Sequence, residues 1–345
     1  MATITPARTS AVVPHDPDDP AIWVSRTPPD RALIFGTDKV DGVGGLYAFG
    51  LDGEIRQAIT PLDRPNNVDV EYGLAMGGRE IDIAVLTEGR QHRLRVYGIP
   101  PDGGLLTDLA PAGIPVLDGQ EGEAAEPMGI ALYKRAADRA IFAIVAPKTA
   151  APPITCGNTG SREWLVTSRR PGPPLRRLQP ERSNPRRKLA RSKLSLSTTS
   201  SGSCTTGDER YGIRKYHADP DVPEAARELA AFGLDGYHDD REGLAIYKTG
   251  ERTGYIVSSD QLIGGSRLVI FPREGTAADV NAHPAIAVVQ TAADETDGLD
   301  VTSAPLPGFP AGLLVMMNST PRNFQLYDWT TLVRHLPGSS NLTSR

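Results

Sequence analysis

The feature that most constrains this chain is a short strand unit that recurs along it. In Gly45-Leu-Tyr-Ala-Phe49, Arg93-Leu-Arg-Val-Tyr97, Gly212-Ile-Arg-Lys-Tyr216 and Arg267-Leu-Val-Ile-Phe271, an aliphatic residue stands three positions before an aromatic one. A turn rich in Gly, Asp or Pro follows each. The aromatic positions 49 and 97 lie 48 residues apart, and 216 and 271 lie 55 apart. A second unit, Gly129-Ile-Ala-Leu-Tyr-Lys, returns as Gly243-Leu-Ala-Ile-Tyr-Lys 114 residues later, about twice the single spacing. Periods of about 40 to 60 residues holding roughly four strands are the signature of a β-propeller. Across 345 residues a period of about 55 gives six blades. A flat sandwich is the competing all-β arrangement.

Composition agrees with short strands and many turns: the chain has 35 Gly and 30 Pro. A net charge of −5 argues against nucleic acid as a partner. No run of about 18 apolar residues is present, which argues against a membrane helix. Met1 to Ser10 lacks the apolar core of a signal peptide. Two cysteines, Cys156 and Cys204, are too few for a disulfide scaffold. One helix is predicted over Pro223–Phe232, with proline in its first turn.

Residues 149–206 break the pattern. They are rich in Arg, Pro and Ser and nearly free of acids, as in Pro185-Arg-Arg-Lys-Leu-Ala-Arg-Ser-Lys. At face value this is a basic disordered linker. A frameshift is the preferred reading. Pro153-Ile-Thr-Cys-Gly-Asn-Thr159 can be encoded so that the shifted frame reads Asp-Tyr-Leu-Trp-Gln-Tyr, a plausible strand. In that same frame, Leu196 to Thr206 can read Leu-Asp-Asp-Glu-Phe-Gly-Phe-Val-Tyr-Tyr. On this reading both cysteines are artefacts and the stretch stays irregular.

Acidic clusters dominate the turns: Asp16-Pro-Asp-Asp-Pro20, Asn66-Asn-Val-Asp-Val-Glu71, Asp239-Asp-Arg-Glu-Gly243 and Asp294-Glu-Thr-Asp-Gly-Leu-Asp300. Any one of these alone is readily explained as a solvated turn cap. In a radial repeat, however, the loops of one face converge, so distant carboxylates can meet. Oxygen ligands without paired His or Cys favour a hard cation such as Ca²⁺. Lys39 and Lys148 end strands beside these acids, 109 residues apart, which places them on one rim. Lysines next to metal-binding acids suit a polyanion. No Gly-x-Ser-x-Gly elbow, Walker loop or His-Glu-x-x-His motif is present, and Arg334-His335 is followed by Leu.

Several runs together resemble the β-propeller phytases: Asp18-Asp-Pro-Ala-Ile-Trp23, Asn66-Asn-Val-Asp-Val70, Glu126-Pro-Met-Gly-Ile-Ala-Leu-Tyr133, Asp240-Arg-Glu-Gly-Leu244 and Glu295-Thr-Asp-Gly-Leu-Asp-Val301. The resemblance spans residues 15–148 and 207–335 and implies a domain over 4–340 containing the aberrant segment 149–206. It implies an all-β fold, a six-bladed propeller with one blade disrupted by the irregular basic segment. It also implies calcium-dependent release of phosphate from phytate, supplied as a calcium complex, by a monomer whose relatives are mostly exported. By the same resemblance Asp18, Asp19, Glu209, Asp240, Glu242, Asp297 and Asp300 hold calcium, with Glu242 also in the catalytic set. Lys39 and Lys148 hold substrate phosphates. Arg90 stands one place from the family's arginine, and Met128 stands where some members have tyrosine. Calcium ligands that the family carries in the middle stretch are missing, so low or no activity is expected of this chain. The alternatives are another calcium-dependent six-bladed hydrolase of lactonase type, or an inactive binding module.

Overall fold

The computed structural model describes residues 3–26, 28–149, 196–198, 202–209, 211–225 and 227–337. The predicted Cys156 and the basic run after Lys148 lie outside the described residues. Strands dominate, and they form a propeller. Pro17–Trp23, Leu33–Asp38, Gly44–Phe49 and Ile55–Leu62 make the first blade. Pro65–Met76, Arg79–Glu88 and Arg93–Ile99, with two short outer strands, make the second. Pro127–Lys134 and Ile141–Pro147 pair with each other. Leu196–Thr198, Ser203–Asp208, Gly212–His217 and Ala230–Phe232 follow as one sheet. Leu244–Lys248, Gly254–Asp260, Arg267–Pro272 and Ala287–Thr291 make the next, and Leu299–Thr302, Leu313–Asn318 and Asn323–Asp328 the last.

The six-blade expectation is corrected here: among the described residues five sheets are full blades of four or five strands, and the sheet at 127–147 has two. Residues 150–195 lie outside the described set. The first strands of successive sheets nevertheless lie side by side, and Leu299–Thr302 returns to Pro17–Trp23, so inner strands surround the axis. The N-terminal segment closes the ring. Arg8–Thr9 pairs antiparallel with Asn323–Asp328, and Thr3–Ile4 pairs parallel with Ala287–Thr291.

Sequence dictates this packing through period-2 alternation, because each sheet is covered on both faces. Leu33 and Phe35 point toward the second blade, where they meet Ala84, Leu86 and Tyr97. Ile34, between them, points the other way into Leu313, Val315 and Phe324 of the last blade. Strands buried on both faces therefore read as continuous apolar runs rather than as amphipathic stripes. Each such side chain contributes roughly 1.5–3 kcal/mol by leaving water. The smallest of these inter-sheet clusters lies beside the two-stranded sheet and joins Ala131, Ile144 and Ala146 to Cys204, Tyr216 and Ala218.

Two sequence expectations change. The run Pro223–Phe232 is not a helix: its described residues are turns leading to the strand Ala230–Phe232, registered with Ile213–Lys215. Phe232 is buried 5.2 Å from Phe271, and that burial overrides local helix propensity. The described α-helix is instead Trp329–Val333, capped by Asp328, whose carboxylate accepts from Thr330 N–H at 2.9 Å. The stretch expected to be irregular also carries strands at its end, since Ser203–Asp208 pairs along its length with Gly212–His217. Buried Cys204, Thr205 and Thr206 supply its packing.

Candidate functional site

Inner strands begin at Pro17, Pro65, Pro127, Leu196, Leu244 and Leu299, and each runs antiparallel to a second strand ending at Asp38, Glu88, Pro147, Asp208, Asp260 or Asn318. Strand starts and second-strand ends therefore share one face of the ring. Every predicted site residue falls at one of these two positions or just beside it.

A repeated device holds this face. The residue ending the second strand accepts an N–H from the loop that leads into the inner strand. Asp38 accepts from Asp16 at 2.7 Å, Glu88 from Asp63 at 2.9 Å, Asp260 from Asp239 at 2.9 Å, and Asn318 from Asp294 at 2.9 Å. The residue before it adds a hydroxyl. Thr37 accepts from Asp19 N–H at 3.1 Å, Thr87 donates to the Met128 carbonyl at 2.8 Å, and Ser259 accepts from Gly243 N–H at 2.7 Å. These residues were not singled out in the sequence, although each ends a buried run in the same way: Thr37-Asp38, Thr87-Glu88, Ser259-Asp260. That shared ending is the signal that would have found them.

On this scaffold the predicted residues separate into groups. In the first, Lys39 is buried and ion-paired to Asp18, and its Nζ lies 3.1 Å from Asp297 Oδ2. Gln261 donates from its amide to the other Asp297 oxygen. The second group is Glu209, Asp240 and Glu242, each offering a carboxylate oxygen within 4.8 Å of the others, with Glu209 and Glu242 buried. In the third, Arg90 lies 2.5 Å and Lys148 3.7 Å from Glu126, and Lys148 lies 2.9 Å from Glu123. Neither Glu126 nor Gln261 was among the expected site residues.

Asp19 and Asp300 sit apart from these, lining a central cavity of about 260 Å³ together with Asp69. Here each carboxylate ties its own inner strand to the next. Asp19 accepts from Val68 N–H at 3.1 Å, Asp69 from Leu132 N–H at 2.6 Å, and Asp300 from Ile22 N–H at 2.7 Å. Asp300 was expected among the calcium residues. Its second oxygen accepts from Val301 N–H at 2.7 Å, which makes it a channel stitch between two inner strands. Close approach is enforced at Gly298, where a Cβ would lie 2.4 Å from Asp19 Oδ1. Burial raises the Asp19 carboxyl well above its usual range, and neighbouring Asp18 raises it further. Burial likewise pushes Asp69 up to about 8 and Asp300 up to about 6, with the Asp300 charge adding to the effect on Asp69.

The sign of this effect is testable. The folded-state pKa of Asp69, about 8, exceeds its ordinary 3.8, so the folded chain holds this proton more tightly than the unfolded chain. Its contribution to stability is present in acid and is lost as pH rises from about 4 to about 8, with a slope of at most about 1.4 kcal/mol per pH unit. Asp69→Asn is expected to flatten the fall in urea midpoint across that window, measured in chelator. Identical slopes for the two chains would refute the assignment.

Carboxylates and cations thus gather on one face of an all-β propeller. The Phytase family model matches residues 2–151 and 195–341, and the chain belongs to that family. Between the matched parts lies most of the basic stretch that broke the repeat. The chain is 25% identical over 341 residues to the 3-phytase of Bacillus subtilis strain 168, covering 92% of this chain and 81% of that relative. Among solved structures, a Lactobacillus plantarum protein is 15% identical with a TM-score of 0.48, covering 89% of this chain and 80% of that one. A periplasmic gluconolactonase of Pseudomonas aeruginosa is 12% identical with a TM-score of 0.47 and the same coverages.

Proposed function

We propose that this chain releases inorganic phosphate from phytate with the help of calcium. Family membership supports hydrolysis, and the observation that carries the reading is the pairing of Lys39 with Asp18 and Asp297 on the rim that also carries Glu209, Asp240 and Glu242. Three carboxylates this close offer a hard oxygen donor set that fits calcium and favours it over zinc. Glu209, Asp240 and Glu242 would hold the ion. Bound there, calcium supplies Lewis-acid neutralisation of phosphate charge that the protein's own acids oppose.

The chain's own residues do the positioning. Lys39, fixed between Asp18 and Asp297, presents an ammonium that cannot swing away and that orients one phosphate. Arg90 and Lys148, both against Glu126, present further cations along the rim. A water can attack phosphorus directly, so no protein nucleophile is required. The basic stretch left unmatched between residues 151 and 195 favours a second reading for the same site, in which the chain binds the substrate but turns it over slowly. Phosphorus-31 NMR of phytate incubated with the protein and calcium separates these readings. The phytase reading expects free phosphate to accumulate. Binding without release would support the impaired form, and neither binding nor release would overturn both.

A further inference from the structure

Glu209, Asp240 and Glu242 come from two different blades. Glu209 sits on the turn after Ser203–Asp208, while Asp240 and Glu242 lie on the loop entering Leu244–Lys248 of the next sheet. That loop is tied to its own blade. Gln261 N–H donates to the Asp240 carbonyl at 3.0 Å, and Gly243 N–H donates to Ser259 Oγ at 2.7 Å. Arg241, between the two acids, reaches instead toward the previous blade. Its guanidinium donates from Nη1 to the Glu209 carbonyl at 3.1 Å. Nε donates to the Gly233 carbonyl at 2.8 Å and Nη2 to the Leu234 carbonyl at 3.0 Å, both just past the strand Ala230–Phe232. The Arg241 backbone N–H also donates to the Glu209 carbonyl, at 3.3 Å. Arg241 is buried, and the Tyr237 ring lies 4.3 Å from its guanidinium carbon. Such a cation acts on a neighbouring metal site in two opposite ways. Its charge repels the ion. Its rigid fork, anchored on three carbonyls, fixes the backbone that carries a ligand and removes an ordering cost from metal binding.

We propose that Arg241 is a positioning residue for calcium: its fork holds the Glu209 turn against the Asp240–Glu242 loop, so that carboxylates from two blades reach one ion. This rests on the calcium reading of these three acids and deepens it. The sign of the effect separates position from charge. If charge dominated, removing the guanidinium would tighten calcium binding. Because position dominates, removing it weakens binding.

The test titrates calcium by calorimetry into the chelator-stripped full chain and its Arg241→Met and Arg241→Lys variants. The double variant Asp240→Asn, Glu242→Gln serves as the baseline for calcium bound elsewhere. Arg241→Met is expected to weaken the binding that the baseline lacks by about 10-fold or more. Arg241→Lys keeps the charge but loses the fork, and is expected to weaken it by a comparable factor. Melting curves in EDTA and in calcium give a second readout. A merely structural arginine would lower both midpoints equally, whereas the proposal expects the gap between them to shrink. Should Arg241→Met fail to fold, Arg241→Lys decides alone. Unchanged or tighter calcium binding in either folded variant would overturn the proposal and leave the calcium reading intact. Wild-type and baseline chains that bind calcium identically would sink the calcium reading of these acids as well.

Discussion

Lys39→Met is expected to slow phosphate release from phytate on the order of 100-fold, the effect of removing one preorganised charge donor from a phosphoryl site. Stability is expected to fall as well. Lys39 is 8% exposed and Asp18 is 1% exposed, so losing the ammonium leaves two carboxylates facing each other out of water. Breaking a buried ion pair on one side costs roughly 3 to 5 kcal/mol. Lys39→Arg keeps the charge but replaces a compact ammonium with a wider fork, so it should recover stability more than rate. Rates and urea midpoints for the three chains decide the matter. A methionine variant with wild-type turnover would exclude Lys39 from the phosphate site.

The second large effect concerns Glu209, Asp240 and Glu242. If they hold calcium, the ion binds the folded chain alone and stabilises it by about 2.7 kcal/mol when present at about 100 times its Kd. The double variant Asp240→Asn, Glu242→Gln is expected to melt at the same temperature with calcium or with chelator, while wild type separates by several degrees. Without calcium the variant should be no less stable than wild type, because two neighbouring negative charges have gone. A calcium-dependent shift that survives in the variant would place the ion elsewhere.

The rim was legible because a propeller repeats its geometry along with its sequence. Acids at the starts of inner strands, at Asp18, Asp240 and Asp297, and lysines just after second strands, at Lys39 and Lys148, recur at blade spacing and converge on one face. Asp300 was harder to read. It is only three residues from Asp297, but it lies within the strand Leu299–Thr302 and lines the channel, whereas Asp297 precedes that strand and meets Lys39 on the rim. There it bonds an N–H of the sheet that closes the ring, at Ile22, a contact between residues 278 positions apart. Glu126 was quoted as part of a motif, yet it meets Arg90 only across two sheets and Lys148 only through the pairing of Pro127–Lys134 with Ile141–Pro147. The helix expected over Pro223–Phe232 failed because local propensity ranked below the burial of Phe232 against Phe271. Within the stretch expected to be irregular, Ser203–Asp208 forms a strand because it pairs along its length with Gly212–His217 and buries Cys204 beside Ala131, Ile144 and Ala146.

The most direct measurement is phosphate release from phytate by the full chain, first with calcium, then with excess EDTA, then with calcium restored. The account expects release that stops in the chelator and returns with the ion, in parallel with a reversible shift in melting temperature. Release that continues undiminished in excess EDTA would contradict it.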